Sequence, residues 1–107
     1  MFIAKVVGKS MEPTIPDGSY CIFRYEPQGS REGKVVIAEM MHELDPETNQ
    51  KFTVKRYHSE KEYSEEDGNW LHTRIILSPD NKDFENIILE NASENKYKIV
   101  AEFISVI

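Results

Sequence analysis

Apolar runs bounded by glycine, proline, asparagine or aspartate recur along the whole chain, and that pattern predicts strands. Phe2–Val7 is β-branched and aromatic and stops at Gly8. Ser19–Tyr25 follows the Asp17-Gly18 turn pair, and Lys34–Met41 follows a loop marked by Pro27, Gly29 and Gly33. Phe52–His58 is the next run, and Asp45-Pro46-Glu47-Thr48-Asn49 before it has the composition of a turn closing an extended hairpin over 40–51. Trp70–Leu77 follows Asp67-Gly68, and Lys96–Ile107 is a long β-rich stretch. The charged segment Ser59–Asp67 reads as a solvated hairpin loop. No amphipathic helix of three turns, repeat or low-complexity linker stands out. The expected fold class is mostly β, a small curled-sheet or barrel-like domain occupying residues 1–107 as one unit.

Composition narrows the function classes. The chain has 107 residues with 39% hydrophobic and 30% charged, enough for one modest core and too apolar for a disordered acidic tail. Nineteen acidic against 13 basic residues leave a net charge of −6. A duplex-binding surface needs a basic excess, so direct binding of nucleic acid by this domain is not expected. Cys21 is the lone cysteine, which removes any internal disulfide and points to a reducing, cytoplasmic setting. No apolar run reaches the ~18–20 residues that span a bilayer, so no membrane association is expected.

Most chemistry-bearing residues read as structural. His42, His58 and His72 lie on separate segments without metal-ligand spacing, and neither a metal nor another cofactor is implied. Cys21 sits mid-strand as a small buried hydrophobe, and Trp70 is placed as a sheet residue. The segment Gly8-Lys9-Ser10-Met11-Glu12-Pro13-Thr14-Ile15-Pro16-Asp17-Gly18 differs: a strand ends at a glycine, a serine follows at the turn, and prolines stiffen what comes next. Such a turn can fix the direction of a hydroxyl at the sheet edge, although an ordinary Pro-rich connection has the same local chemistry.

The whole pattern goes further. The G-x-S-M-x-P-T-x-x-D-G stretch around Ser10 resembles the nucleophile segment of LexA- and UmuD-type serine peptidase domains, and more distantly that of type I signal peptidases. Arg31-Glu32-Gly33-Lys34-Val35-Val36-Ile37-Ala38 resembles the strand that follows it, and Phe52-Thr53-Val54-Lys55-Arg56-Tyr57 resembles the family's lysine strand. Leu77-Ser78-Pro79-Asp80-Asn81-Lys82-Asp83-Phe84 is similar to its L-x-P-x-N-x-x-[FY] segment, and Ile99–Ile107 to its closing strand. The resemblance implies a serine endopeptidase with Ser10 as nucleophile and Lys55 as general base. In that family the activity is regulated self-cleavage in stress (SOS) responses and transcription regulation.

Those residue types suit the chemistry. A serine hydroxyl attacks only if a base takes its proton, and a lysine serves only when its amine is neutral. Bringing a lysine from about 10.4 to about 7–8 disfavours its charged form by about 4 kcal/mol, so the fold must bury it. Lys55 is therefore expected to lie buried within hydrogen-bond reach of Ser10, or one water away, without a carboxylate partner that would hold its proton. Strand alternation puts Tyr57 on the face of Lys55 and Arg56 on the other. Backbone N–H groups at the Ser10 turn are the expected oxyanion donors, which nominates Lys9 and Met11 together with Pro13 as oxyanion or groove residues. Asp80 and Asn81 are expected to pin the turn rather than touch substrate.

A competing reading is a non-catalytic relative kept as a dimerisation or regulatory module, which an ion-paired Lys55 would favour. Only nine residues precede Ser10 and no Ala-Gly or Cys-Gly dipeptide occurs, so this chain is not expected to cut itself. Its substrate would be a peptide segment upstream of Met1 in a longer parent, or one in another chain. Residues 96–107 are expected to form an exposed edge covered by homodimerisation, as the resemblance implies.

Overall fold

The computed structural model describes residues 1–107 except 26–28, 65–68 and 91–95, with the backbone alone described at 61–64 and 69–73. The described residues are all β. The strands are β1 (Phe2–Val6), β2 (Ser19–Tyr25), β3 (Val35–Met40), β4 (Phe52–Ser64), β5 (Asn69–Ser78), β6 (Ile87–Glu90) and β7 (Tyr97–Val106). They form one antiparallel sheet in the order β1-β2-β7-β3-β4-β5-β6. Register shifts at Ile22/Phe23, Ile37/Ala38 and Glu60/Lys61 bend it.

The bends divide the core in two. Val36, Ala38, Met40, Tyr57, Ile75, Leu77, Ile87 and Leu89 pack together across β3–β6. Val6, Met11, Ile15, Cys21, Phe23, Val35 and Ala101 form the second cluster under β1, β2 and β7. Val35 and Val36 are both buried, one in each cluster, so β3 is the seam between them. Cys21 is fully buried in the second cluster, and burial pushes its thiol pKa up.

Several expectations change. Residues 96–107 are no free edge: β7 is paired on both sides, with β2 and β3, and the outer strands are β1 and β6. The charged run from Ser59 continues β4 as far as Ser64, paired with β5 to Asn69; Glu65–Asp67, like Pro27, lies outside the described residues. The extended arm is thus the β4–β5 hairpin, whereas 41–51 is a loop between β3 and β4 closed by Met40 N–H donating to Lys51 O at 2.8 Å. β6 has no counterpart among the runs that the sequence pattern predicts. No helix among the described residues is long and apolar enough to cross a membrane.

Candidate functional site

Ser10 opens a single helical turn after β1, in which Glu12 N–H donates to Lys9 O (3.1 Å) and Ile15 N–H to Met11 O (2.9 Å). Gly8 makes the entry, with φ +102 that L side chains rarely adopt. The turn is anchored from below, because Met11 and Ile15 are core residues. It is anchored from the side by the segment after β5: Asn81 N–H donates to Ser10 O and Asn81 Nδ2 to Lys9 O, each at 3.0 Å. Thr14 Oγ1 donates to Asp80 Oδ2 at 2.6 Å. Asp80 and Asn81 therefore pin the Ser10 turn, as their sequence positions lead one to expect.

Lys55 lies on β4, two strands away from β7 across β3. Alternation holds along this strand: Thr53, Lys55 and Tyr57 are buried on one face. Arg56 turns the other way, where it grips Asp80 through Nε and Nη2 (2.9 and 2.8 Å) and donates from Nη1 to Gly33 O (2.7 Å). Ser10 and Lys55 are 6% and 4% exposed and line the same cavity of about 330 Å³. Phe2, Val6, Ile37 and Val54 give its walls their apolar character. Among the described residues no hydrogen bond joins Ser10 Oγ to Lys55 Nζ, and the N–H groups of Ser10 and Met11 donate to no acceptor.

Lys55 has a carboxylate partner, against expectation. Its Nζ donates to Asp45 Oδ2 at 3.1 Å and to Thr53 Oγ1 at 2.8 Å. Thr53 Oγ1 in turn donates to Asp45 Oδ2 at 2.5 Å. The physical reason lies in the loop between β3 and β4, which folds back on the sheet. Asp45 Oδ1 accepts the N–H groups of Glu47 (2.8 Å) and Thr48 (3.1 Å), its own N–H donates to Gln50 O, and its carbonyl accepts from Asn49 N–H. Burial alone would raise the Asp45 carboxyl; the Thr53 hydrogen bond, the Lys55 charge and the Thr48 and Glu47 amides together bring it below the usual range.

The same loop reaches the serine side. Glu47 Oε2 accepts the Lys9 N–H at 2.8 Å, and its carboxylate lies so close to Gly8 that a Cβ there would collide with Oε1. Of the sequence-nominated groove residues, Lys9 thus contributes a backbone donor already engaged, Met11 lines the cavity from the core, and Pro13 is exposed and does not line it. Asp45, Glu47 and Thr53 stand outside the set that the sequence nominates. Only Thr53 is within its reach, two positions before Lys55 on the same face. Among the described residues no group of three His, Cys, Asp or Glu side chains is arranged to hold a metal ion.

An all-β domain that brings a turn serine and a buried strand lysine to one cavity has the architecture of LexA/UmuD-type serine peptidase domains. The chain belongs to the Peptidase S24-like family, whose model matches residues 1–104. No curated protein matches it.

Proposed function

We propose that this domain is a serine endopeptidase in which Ser10 is the nucleophile and Lys55 the general base. The observation that carries the reading is that Ser10 and Lys55, from opposite sides of β7 and β3, line one largely apolar cavity while both are nearly inaccessible. In the reaction Ser10 Oγ bonds to the scissile carbonyl carbon as its proton passes to Lys55 Nζ. The tetrahedral intermediate collapses as Lys55 returns that proton to the leaving amine. Water then releases the acyl group, Lys55 acting as base again. The N–H groups of Ser10 and Met11, which have no other acceptor among the described residues, are suited to the developing oxyanion. The substrate is an extended peptide segment, from a longer parent chain or from another protein. The family membership favours a regulatory, stress-response setting in the cytoplasm. A homodimer would form through the exposed side chains of Ile104, Val106 and Ile107; sedimentation at high protein concentration tests it, and a strict monomer would refute it.

A second reading, a non-catalytic regulatory relative, is favoured by the Asp45–Lys55 ion pair, which engages the atom that would have to take the serine proton. Phosphonylation of Ser10 by an alkyl fluorophosphonate, in which Oγ bonds to phosphorus and fluoride leaves, followed by intact mass, separates the two. Labelling that disappears in both Ser10→Ala and Lys55→Ala supports the peptidase. Labelling indifferent to Lys55 supports the non-catalytic module.

A further inference from the structure

We infer that the loop between β3 and β4 is an internal inhibitor of this site, its Asp45 and Glu47 carboxylates holding the base and the serine turn in an inactive arrangement. The inference rests on the Ser10–Lys55 peptidase reading and concerns how that site is controlled.

Two contacts of one loop fall on both halves of the site. Asp45, 3% exposed on its side chain, sets a negative charge 3.1 Å from Lys55 Nζ. It also takes the only proton of the Thr53 hydroxyl, so that Thr53 can offer Lys55 nothing but a lone pair. Both contacts engage Nζ, the atom that would have to take the serine proton. Glu47 occupies the Lys9 N–H, one residue before Ser10, and sets a second negative charge beside the turn whose next N–H groups would receive the oxyanion. An anion there acts against the transition state rather than for it.

The loop is also built to let go. Of residues 41–50 only Asp45 is buried, and the hydrophobic side chains Met41 and Leu44 are exposed. No apolar anchor of its own ties the loop to the sheet, so its polar contacts with Thr53, Lys55 and Lys9 hold it over the cavity. Its internal hydrogen bonds at Asp45, Asn49 and Gln50 let it move as a unit. A peptide that takes the Lys9 N–H displaces Glu47.

The test uses the full chain and the rate of Ser10 phosphonylation by an alkyl fluorophosphonate, in wild type, Asp45→Asn, Glu47→Gln and the double variant. In Asp45→Asn the new side chain retains an amide oxygen for the Glu47 and Thr48 N–H groups. It then presents its NH2 to Thr53 and Lys55, where it cannot accept from an ammonium. Labelling about tenfold faster or more in Asp45→Asn, a smaller gain in Glu47→Gln, and loss of both gains when Lys55→Ala is added are the expected results. Glu47→Gln changes only an exposed side chain, which keeps the test decisive if Asp45→Asn folds poorly. Faster hydrogen exchange of the Lys9 amide in Glu47→Gln is expected alongside. Lys55-dependent labelling in wild type that is unchanged or slower in the variants overturns the inhibitor and leaves the peptidase standing. Labelling absent from every folded variant overturns the peptidase reading, and the inhibitor with it.

Discussion

Arg56 and Asp80 form a two-pronged ion pair on the face of β4 opposite Lys55, with Nε and Nη2 at 2.9 and 2.8 Å from the two carboxylate oxygens. Because Asp80 also holds Thr14 and its neighbour Asn81 holds Ser10, this pair ties the lysine strand to the serine turn from behind. Asp80→Ala removes the Arg56 and Thr14 hydrogen bonds at once. A loss of about 1–2 kcal/mol is expected, since the pair is partly exposed and only modestly stabilising. Urea unfolding should show a lower midpoint with an unchanged slope.

Asn81→Ala addresses position rather than stability. It removes the Nδ2 bond to Lys9 O and leaves the backbone bond to Ser10 O. A stability loss of about 1 kcal/mol and Ser10 phosphonylation slowed up to about tenfold are expected. Asn81→Asp, which keeps the Oδ1 bond from Asp83 N–H but not the donor, should slow phosphonylation equally; recovery in Asn81→Asp would show the effect to be structural.

Lys55→Met leaves Asp45 as a buried carboxylate without its cation. Breaking one side of a buried pair costs about 3–5 kcal/mol, and the remaining donors to Asp45 place this case near the low end. Asp45→Asn combined with Lys55→Met should recover part of the loss. A double-mutant cycle by thermal unfolding measures the coupling, and strict additivity would contradict the pairing.

Acid should weaken the fold through two aspartates. The Arg56 hydrogen bonds foremost hold the Asp80 carboxyl below its ordinary value; Asp45 also lies below it, its burial being outweighed by Thr53, Lys55 and two amides. A folded value below the unfolded one gives stability that is complete above about pH 5 and is lost as pH falls through the unfolded value near about 4 and on through the folded one. Melting temperature should decline from about pH 5 toward about pH 2 in wild type. Asp80→Asn and Asp45→Asn should each flatten that decline.

The strands carrying the site were legible because alternation along Phe52–Tyr57 assigns each side chain a face, and the structure keeps those faces for Lys55, Arg56 and Tyr57. The role of Asp80-Asn81 was legible from turn chemistry. Asp45 was visible only as a turn former. Its contact with Lys55 depends on how the 41–51 loop folds over β4, and no local pattern encodes that. The Ser59–Ser64 run looked like a loop because its backbone is paired only with β5, beyond the reach of β3, where no apolar pattern is imposed. β6 spans four residues, too short for alternation to stand out. The place of β7 in the middle was hidden for a different reason: pairing order belongs to the whole sheet, not to the strand.

That central place has a consequence for synthesis. β1 with β2 carries the Ser10 turn, and β3 with β4 carries Lys55, yet the sheet joins these two hairpin units only through β7. Each unit can form from local pairing as it leaves the ribosome, whereas β7 must close contacts with residues roughly eighty and sixty positions earlier, a slow class of event. Ser10 and Lys55 therefore come to one cavity across a completed sheet only after Tyr97–Val106 has emerged, so the site is among the last parts of the domain to assemble.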